Sequence, residues 1–424
     1  MNTLLEIFLK YPSVTIDSRS ITKDQIFFAI KGESYDGNKF VLQALEAGAA
    51  YCVSSDHAFS GHEKIIVVED TLISLQQLAH DYRLRFKIPF LAVTGSNGKT
   101  TTKELLAQTI GTKYKVHMTK GNYNNHLGVP LTLLSMPPDA EFAIIEMGAN
   151  HVGEIHQLCE IAAPDYGIVT NIGIAHLEGF GGKEGVKKAK IELYRYLNSN
   201  GGICFLNSLE GSTAFVKDIL NHNFVSILDI DMNLNKVEVP DSAYLIFSVD
   251  EDIYETSIVG EYNYNNIVVA LGIGLYFGCG IHEMAKAVTA YLPSNNRSQL
   301  LQYKGTDLIL DAYNANPSSV INAIDNLSKL QNKKRSLILG DMLELGDSST
   351  EMHKSILDHL KELACWQDVV LIGPIFYSLK DAYNFFRFHQ NTEDAAASIQ
   401  WQDLAGQTIL IKGSRGLKLE SLIG

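Results

Sequence analysis

The segment FLAVTGSNGKTTTKELLAQ, residues 90–108, carries residues suited to holding a polyphosphate. Gly95 and Gly98 flank Ser96 and Asn97, and Lys99, Thr100 and Thr101 follow at once. Glycines permit a tight turn that aims backbone N–H groups inward, and the start of a following helix adds partial positive charge. In such a loop the lysine reaches the β- and γ-phosphates and the next hydroxyl reaches Mg²⁺, which gives roles to Lys99 and Thr100. The spacing departs from the common GxxxxGK[ST] pattern, because Val93 stands where the first glycine would be. The alternative is a glycine-rich turn with an exposed lysine. A strand before the loop and a helix after it favour a nucleotide site, but kinases, GTPases and ligases all share such a loop.

Three further residues could serve a metal or the phosphates. Glu146 ends the apolar run FAIIEMG, where an acid commonly orients Mg²⁺; a solvated strand-end carboxylate is the alternative. His176 follows YGIVTN and could be a metal ligand or a structural hydrogen-bonder. Lys190, in GVKKAKIELY, reads by itself as a solvated lysine. Were it buried, its amine would lose protons more readily and could add CO₂, giving a carbamate that suits a hard cation.

These residues need rigid elements behind them. FLAVTG, FAIIEMG, YGIVTN, GGICFLN, DLILDAY, RSLILGD, DVVLIG and QTILIKG read as buried strands ending in turn or polar residues. Helical stretches such as TTKELLAQTIG and SVINAIDNLSKL lie between such runs. That alternation predicts an α/β fold with largely parallel sheets, in which ligands sit beyond the carboxyl ends of the strands. Three blocks are expected: 1–86, ending in the helical LISLQQLAHDYRLRF, then 87–294, then 295–424. The length of 424 residues accommodates them. A net charge of -13 argues against a nucleic-acid partner. No apolar run is long enough for a membrane helix, and MNTLLEIFLKYPS lacks the basic lead of a secretory signal. Five cysteines without a CxxC pair fit a reducing cytoplasm rather than a disulfide framework.

Together the pieces resemble the Mur ligases over nearly the whole chain. TGSNGKTT is similar to that family's phosphate loop, Glu146 and His176 match its magnesium-binding acid and histidine, and Lys190 in AKIEL matches the lysine that it carbamylates. GEYNYNNIVVALGI, 260–273, looks like the family's GxHNxxN segment. Asn263 and Asn266 stand at its asparagines, the second facing adenine, and Tyr262 replaces its histidine. A helix N-terminus capped by asparagine is the plainer alternative. Asn296-Arg297 looks like the family's arginine before the last domain, which would reach the γ-phosphate. Asp311 resembles the acid that holds the ribose, and Asn314 and Asn316 would lie beside the nucleotide. The resemblance implies a three-domain architecture with a central P-loop ATPase domain and a C-terminal Rossmann-like domain. It also implies ATP and two Mg²⁺ ions as cofactors.

Four segments resemble the branch of the family that joins D-alanyl-D-alanine to UDP-N-acetylmuramoyl-tripeptide. KGNYNNHLGVPLTLL, 120–134, would line the muramoyl-peptide channel with Asn124, Asn125 and His126. DAYNANPSS and LGDMLELG, 339–346, the latter with Asp341, Met342 and Glu344, match that branch. DSRSITKDQIFFAIKGESYDGNKF, 17–40, resembles its uridine-nucleotide domain, with Asp17, Ser18 and Arg19 near the UDP end; a surface turn is the alternative. The implied reaction is ATP-dependent amide formation through an acyl phosphate, in cytoplasmic cell-wall precursor synthesis. A single chain holds every implied residue, so a monomer would suffice. The runners-up are another Mur ligase adding a single amino acid, and a P-loop ATPase switch that joins nothing. No residue presents itself as the base for the incoming amine.

Overall fold

The computed structural model describes residues 3–32, 34–173, 177–211, 213, 216, 223–239, 242–293, 297–330 and 334–424. His176 and Asn296 lie outside the described residues. Strands β1 (Val14–Thr15), β2 (Ile26–Phe28), β3 (Tyr51–Ser54) and β4 (Ile65–Val67) form a small parallel sheet in the order β1-β2-β3-β4. The central sheet contains β5 (Phe90–Thr94), β6 (Val116–Met118), β7 (Phe142–Glu146), β8 (Tyr166–Val169), β9 (Ile203–Leu206) and β10 (Phe224–Ser226). Its order is β10-β9-β8-β5-β7-β6, all parallel. A short antiparallel sheet follows, from β11 (Leu234–Val237), β12 (Tyr244–Val249) and β13 (Asp252–Val259).

The last sheet has β14 (Gln299–Tyr303), β15 (Thr306–Asp311), β16 (Lys334–Gly340), β17 (Asp368–Ile372), β18 (Arg387–His389) and β19 (Gln407–Lys412). They lie in the order β14-β15-β19-β16-β17-β18, with only the β14–β15 pair antiparallel. All eight apolar runs read from the sequence are strands of the two six-stranded sheets. They are nearly continuous in Val, Ile, Leu and Phe because both sheet faces are covered by helices and cores. Among the described residues no helix is long and apolar enough to cross a membrane.

The helix Thr71–Arg83 ties the first sheet to the central one. Its buried Leu75, Leu78 and Tyr82 share one core with Ile26 and Phe28 on one side and Val129 and Leu133 on the other. Arg83 anchors the end of that helix. It donates to the carbonyls of Ala162 and Ala163 and to Asp165, and its guanidinium lies 3.7 Å from the Phe90 ring centre.

Candidate active site

β5 delivers the chain into the phosphate loop. Gly95 has φ +147°, and a Cβ there would meet Thr170 Oγ1 at 2.0 Å. Gly98 caps the helix Lys99–Ile110 with φ +77°, and a Cβ there would meet the Asn266 side chain at 2.9 Å. Both glycines are therefore required by backbone conformation and by close approach. Residues beyond the neighbouring strand β8 lock the loop. Asn171 Oδ1 accepts from the Asn97 amide at 2.9 Å, Thr170 Oγ1 donates to the Asn97 carbonyl at 2.6 Å, and Ser96 Oγ bonds Gly173 at 3.0 Å.

Lys99 folds over this loop and donates to the carbonyls of Gly95 and Ser96 at 2.8 and 3.1 Å. Desolvation lowers its pKa to about 8. The nearby Glu146 carboxylate opposes that shift and Arg297 adds to it. Thr100 Oγ1 lies 3.1 and 2.9 Å from the two carboxylate oxygens of Glu146, which ends β7 and is 1% exposed. Asn124 Nδ2 donates to Glu146 at 2.8 Å, and the Lys103 ammonium stands 3.7 Å away. A hydroxyl and a buried carboxylate are hard oxygen donors, so this pair fits magnesium.

Lys190 ends the helix Lys183–Lys190 and is 1% exposed, its ammonium 5.2 Å from the Phe180 ring centre. Burial, reinforced by the Lys99 charge, lowers its pKa to about 7. The solvated lysine that its sequence suggests is thus not what the fold produces.

The residues of GEYNYNNIV sit behind the loop. Asn266 accepts from Thr102 and donates to Asn263 Oδ1, which in turn donates to the Val259 carbonyl. Tyr262, in the place of a histidine, bonds Ser298 Oγ at 2.8 Å and so joins this segment to the start of the last sheet.

The carboxyl edges of the central and last sheets border one cleft of 740 Å³. Ser96, Asn97, Gly98, Lys99, Thr100, Thr101, Asn124, Asn125, His126, Glu146, Asn263, Asn266, Arg297, Asp311, Asn314 and Asn316 all line it. Gly95, the residue before Ser96, is not part of this lining. Asp311 Oδ2 accepts from Lys412 at 2.5 Å, and Asn316 Nδ2 donates to Asn97 Oδ1 at 2.7 Å across the cleft. Asn125 spends its carboxamide capping Leu127 and Gly128.

Asp17 borders a second cavity of 490 Å³ between β1 and the 118–135 segment; Ser18 and Arg19 line neither cavity. Arg19 pairs with Asp17 at 2.8 Å and is 87% exposed, and its hydrogen bonds hold the Asp17 pKa at about 2.

Glu344, singled out in the sequence as part of LGDMLELG, also stands in the cleft wall, and sequence reasoning missed Tyr313, Lys412 and Arg415 beside it. The usable signal was their position just after apolar strands. Tyr313 faces Arg297 at 3.8 Å and Arg415 at 5.1 Å.

Comparison with known proteins agrees with this arrangement. The Mur ligase family catalytic domain model matches residues 10–83, the Mur ligase middle domain 93–274, and the Mur ligase glutamate ligase domain 296–415. The UDP-N-acetylmuramoyl-tripeptide--D-alanyl-D-alanine ligase of Bacillus subtilis (strain 168) is 33% identical, covering 97% of this chain and 92% of that protein. The ligase of the same name from Haemophilus influenzae is 32% identical, covering 97% and 92%. A crystal structure of MurF from Acinetobacter baumannii superposes with a TM-score of 0.86 at 30% identity, covering 97% of this chain and 92% of that one. With relatives this similar along nearly their whole length, and with a phosphate loop facing a second sheet across one cleft, this chain belongs to the Mur ligase family.

Proposed function

We propose that this chain joins D-alanyl-D-alanine to UDP-N-acetylmuramoyl-tripeptide, converting ATP to ADP and phosphate. The observation that carries the reading is the single cleft in which the phosphate loop and Glu146 face Arg297, Asp311 and Asn316 of the last sheet. The names borne by the matched relatives supply the substrates.

Gly95 to Thr101 would cradle the phosphates of ATP. Asn263 and Asn266 would meet the adenine, and Asp311 and Asn314 the ribose. The tripeptide carboxylate attacks the γ-phosphorus, its oxygen forms the new P–O bond, and ADP leaves with the bonding pair. Lys99 and Arg297 offset the charge in transit. The dipeptide amine then forms the C–N bond, the acyl C–O bond breaks with phosphate as the leaving group, and the nitrogen gives up one proton to solvent. Asn316 bridges to the phosphate loop, so the last domain closes over the activated carboxyl and keeps water from it.

Thr100 and Glu146, with Lys190 and His176, would hold magnesium, two ions on the family resemblance. When bound it supplies positive charge against the transferring phosphoryl group. Asn124 would orient Glu146, to which it donates, Asn125 and His126 would flank the peptide, and Asp17, Ser18 and Arg19 would lie at the UDP end, Asp17 at the second cavity. We place the three domains at 1–86, 87–294 and 295–424, acting as one chain in the cytoplasm.

Lys190 is assigned a carbamate. Its buried amine, with pKa lowered to about 7, is about half free base at neutral pH; the nitrogen attacks CO₂ and a proton is released. Labelled bicarbonate should give a carbamate carbon resonance in the protein that Lys190→Ala abolishes. A spectrum without that resonance removes the assignment.

The reaction is tested by measuring phosphate release with ATP, Mg²⁺, UDP-N-acetylmuramoyl-tripeptide and D-alanyl-D-alanine, omitting each in turn and weighing the products. Release that needs all four, with the pentapeptide formed, is expected. Turnover with a single amino acid only, or ATP hydrolysis without ligated product, would refute it.

A further inference from the structure

We propose that the hydroxyl pair of Tyr262 and Ser298 positions the Asp311 carboxylate for the sugar of the nucleotide and so sets the preference for a ribonucleotide over its deoxy analogues. This rests on the reading above, in which Asp311 meets the ribose, and it gives a task to Tyr262, which stands where the family has histidine.

β15 lies between β14 and β19, so Asp311 at its carboxyl end has a neighbour on each side. On β19 that neighbour is Lys412, opposite it in register, which donates to Asp311 Oδ2 at 2.5 Å. On the other side β14 runs antiparallel and Gln299 pairs with Leu310, which puts Ser298 across from Asp311. Ser298 N donates to Asp311 Oδ1 at 3.3 Å. Each carboxylate oxygen is thereby fixed by one neighbour and keeps a lone pair for a ribose hydroxyl. The Asp311 side chain is 15% exposed, at the cleft.

Ser298 can make its bond only through an unusual backbone. It is buried at φ +48°, a conformation that a non-glycine residue holds when its surroundings impose it. Tyr262 supplies that constraint, its hydroxyl bonded to Ser298 Oγ at 2.8 Å. The Tyr262 ring folds back over Gly260, at φ +96°, where a Cβ would meet the ring at 2.5 Å. Burial, and then the charge of Asp311, push the phenol up, so it faces Ser298 as a neutral hydroxyl. Without the phenol, Ser298 can relax toward negative φ and turn its N–H from Asp311, leaving Lys412 as the remaining support.

The same segment has other ties to the last domain. Glu261 N donates to Asn326 Oδ1 at 3.1 Å, and the Glu261 carboxylate pairs with Lys329. These ties end on the helix Pro317–Ser328 and the residue after it rather than at Asp311. They separate docking of the segment from positioning of the carboxylate.

The test is titration calorimetry with ADP, 2′-deoxy-ADP and 3′-deoxy-ADP, in the wild type, Tyr262→Phe, Ser298→Ala, Ser298→Gly and Asn326→Ala. The readout is the ratio of the deoxy nucleotide's Kd to the ADP Kd within each variant, which a loss of folded protein does not move. The wild type should bind at least one deoxy analogue roughly 10-fold more weakly or worse, as for a hydroxyl lost from a charged partner. Tyr262→Phe and Ser298→Ala should each cut that ratio by roughly 3- to 10-fold, and the double variant by no more than either alone. Ser298→Gly relieves the strain at φ +48° and should keep more of the ratio than Ser298→Ala. Asn326→Ala should leave the ratio unchanged. A ratio within about twofold of wild type in both Tyr262→Phe and Ser298→Ala overturns the proposal, as does an equal fall in Asn326→Ala. Equal binding of all three nucleotides by the wild type also overturns it, because the ribose would then not meet Asp311. If the ratios behave as expected but the wild type forms no pentapeptide in the four-component assay, the ligase reading fails and the role of Tyr262 stands.

Discussion

The bond between Asn97 and Asn316 lets the closure of the cleft be measured directly. Asn97 sits in the phosphate loop, and its carboxamide accepts from Asn316 at 2.7 Å and donates to Ser318 Oγ at 3.1 Å. Asn316 is also the N-cap of the helix Pro317–Ser328, accepting from Ser319 N at 2.9 Å. Asn97→Ala removes two neutral hydrogen bonds between the sheets, each contributing about 0.5–1.5 kcal/mol net. A loss of about 1–2 kcal/mol in kcat/KM for ATP is expected, or roughly 5- to 30-fold. Asn316→Ala loses the shared bond and also the cap, which contributes about 1 kcal/mol to the helix. The double variant should therefore lose less than the sum of the two, by about 0.5–1.5 kcal/mol. Ser319→Ala weakens the same cap without touching Asn97, so it should lower the unfolding temperature and leave the Asn97 effect in kcat/KM intact. Additivity to within about 0.3 kcal/mol in the Asn97/Asn316 cycle would refute the argument that this amide pair couples the last domain to the nucleotide loop.

Further outcomes follow from the same geometry. With its pKa lowered to about 8, the Lys99 ammonium is complete below that pH and lost above it. The ATP KM should be flat below pH 8 and rise above it, and Lys99→Met should abolish the inflection. Gly95→Ala places a Cβ 2.0 Å from Thr170 Oγ1 at a positive φ, so ATP binding should collapse with the circular dichroism spectrum retained; Thr170→Ala should recover part of the binding. Wild-type ATP affinity in Gly95→Ala would show that the loop rearranges freely. His353→Ala removes a buried ring that bonds Met342 N and the Ser349 carbonyl, at a cost of about 2–4 kcal/mol, and calorimetry should register it in the transition of the last domain.

Local pattern determined much of this protein. Apolar runs with polar ends specify strands wherever they occur, and the glycines and lysine of TGSNGKTT carry their conformational demands with them, so strands and phosphate loop were readable in order. The antiparallel sheet of β11, β12 and β13 escaped: β11 and β13 mix polar and apolar residues, and the short apolar run of β12 was not read as a strand.

Tertiary structure alone decided what meets across space. Asp311 lies opposite Lys412 in register only because the chain returns at β19 to insert beside β15. Tyr313 collects Arg297 and Arg415, and Asn97 finds Asn316, for the same reason: strand order and facing sheet edges bring together residues that no local spacing relates. Lys190 makes the same point in reverse. Its neighbours in GVKKAKIELY read as a solvated helix, and its altered proton affinity comes from burial beside Phe180 and from the charge of Lys99, neither of which its own helix supplies.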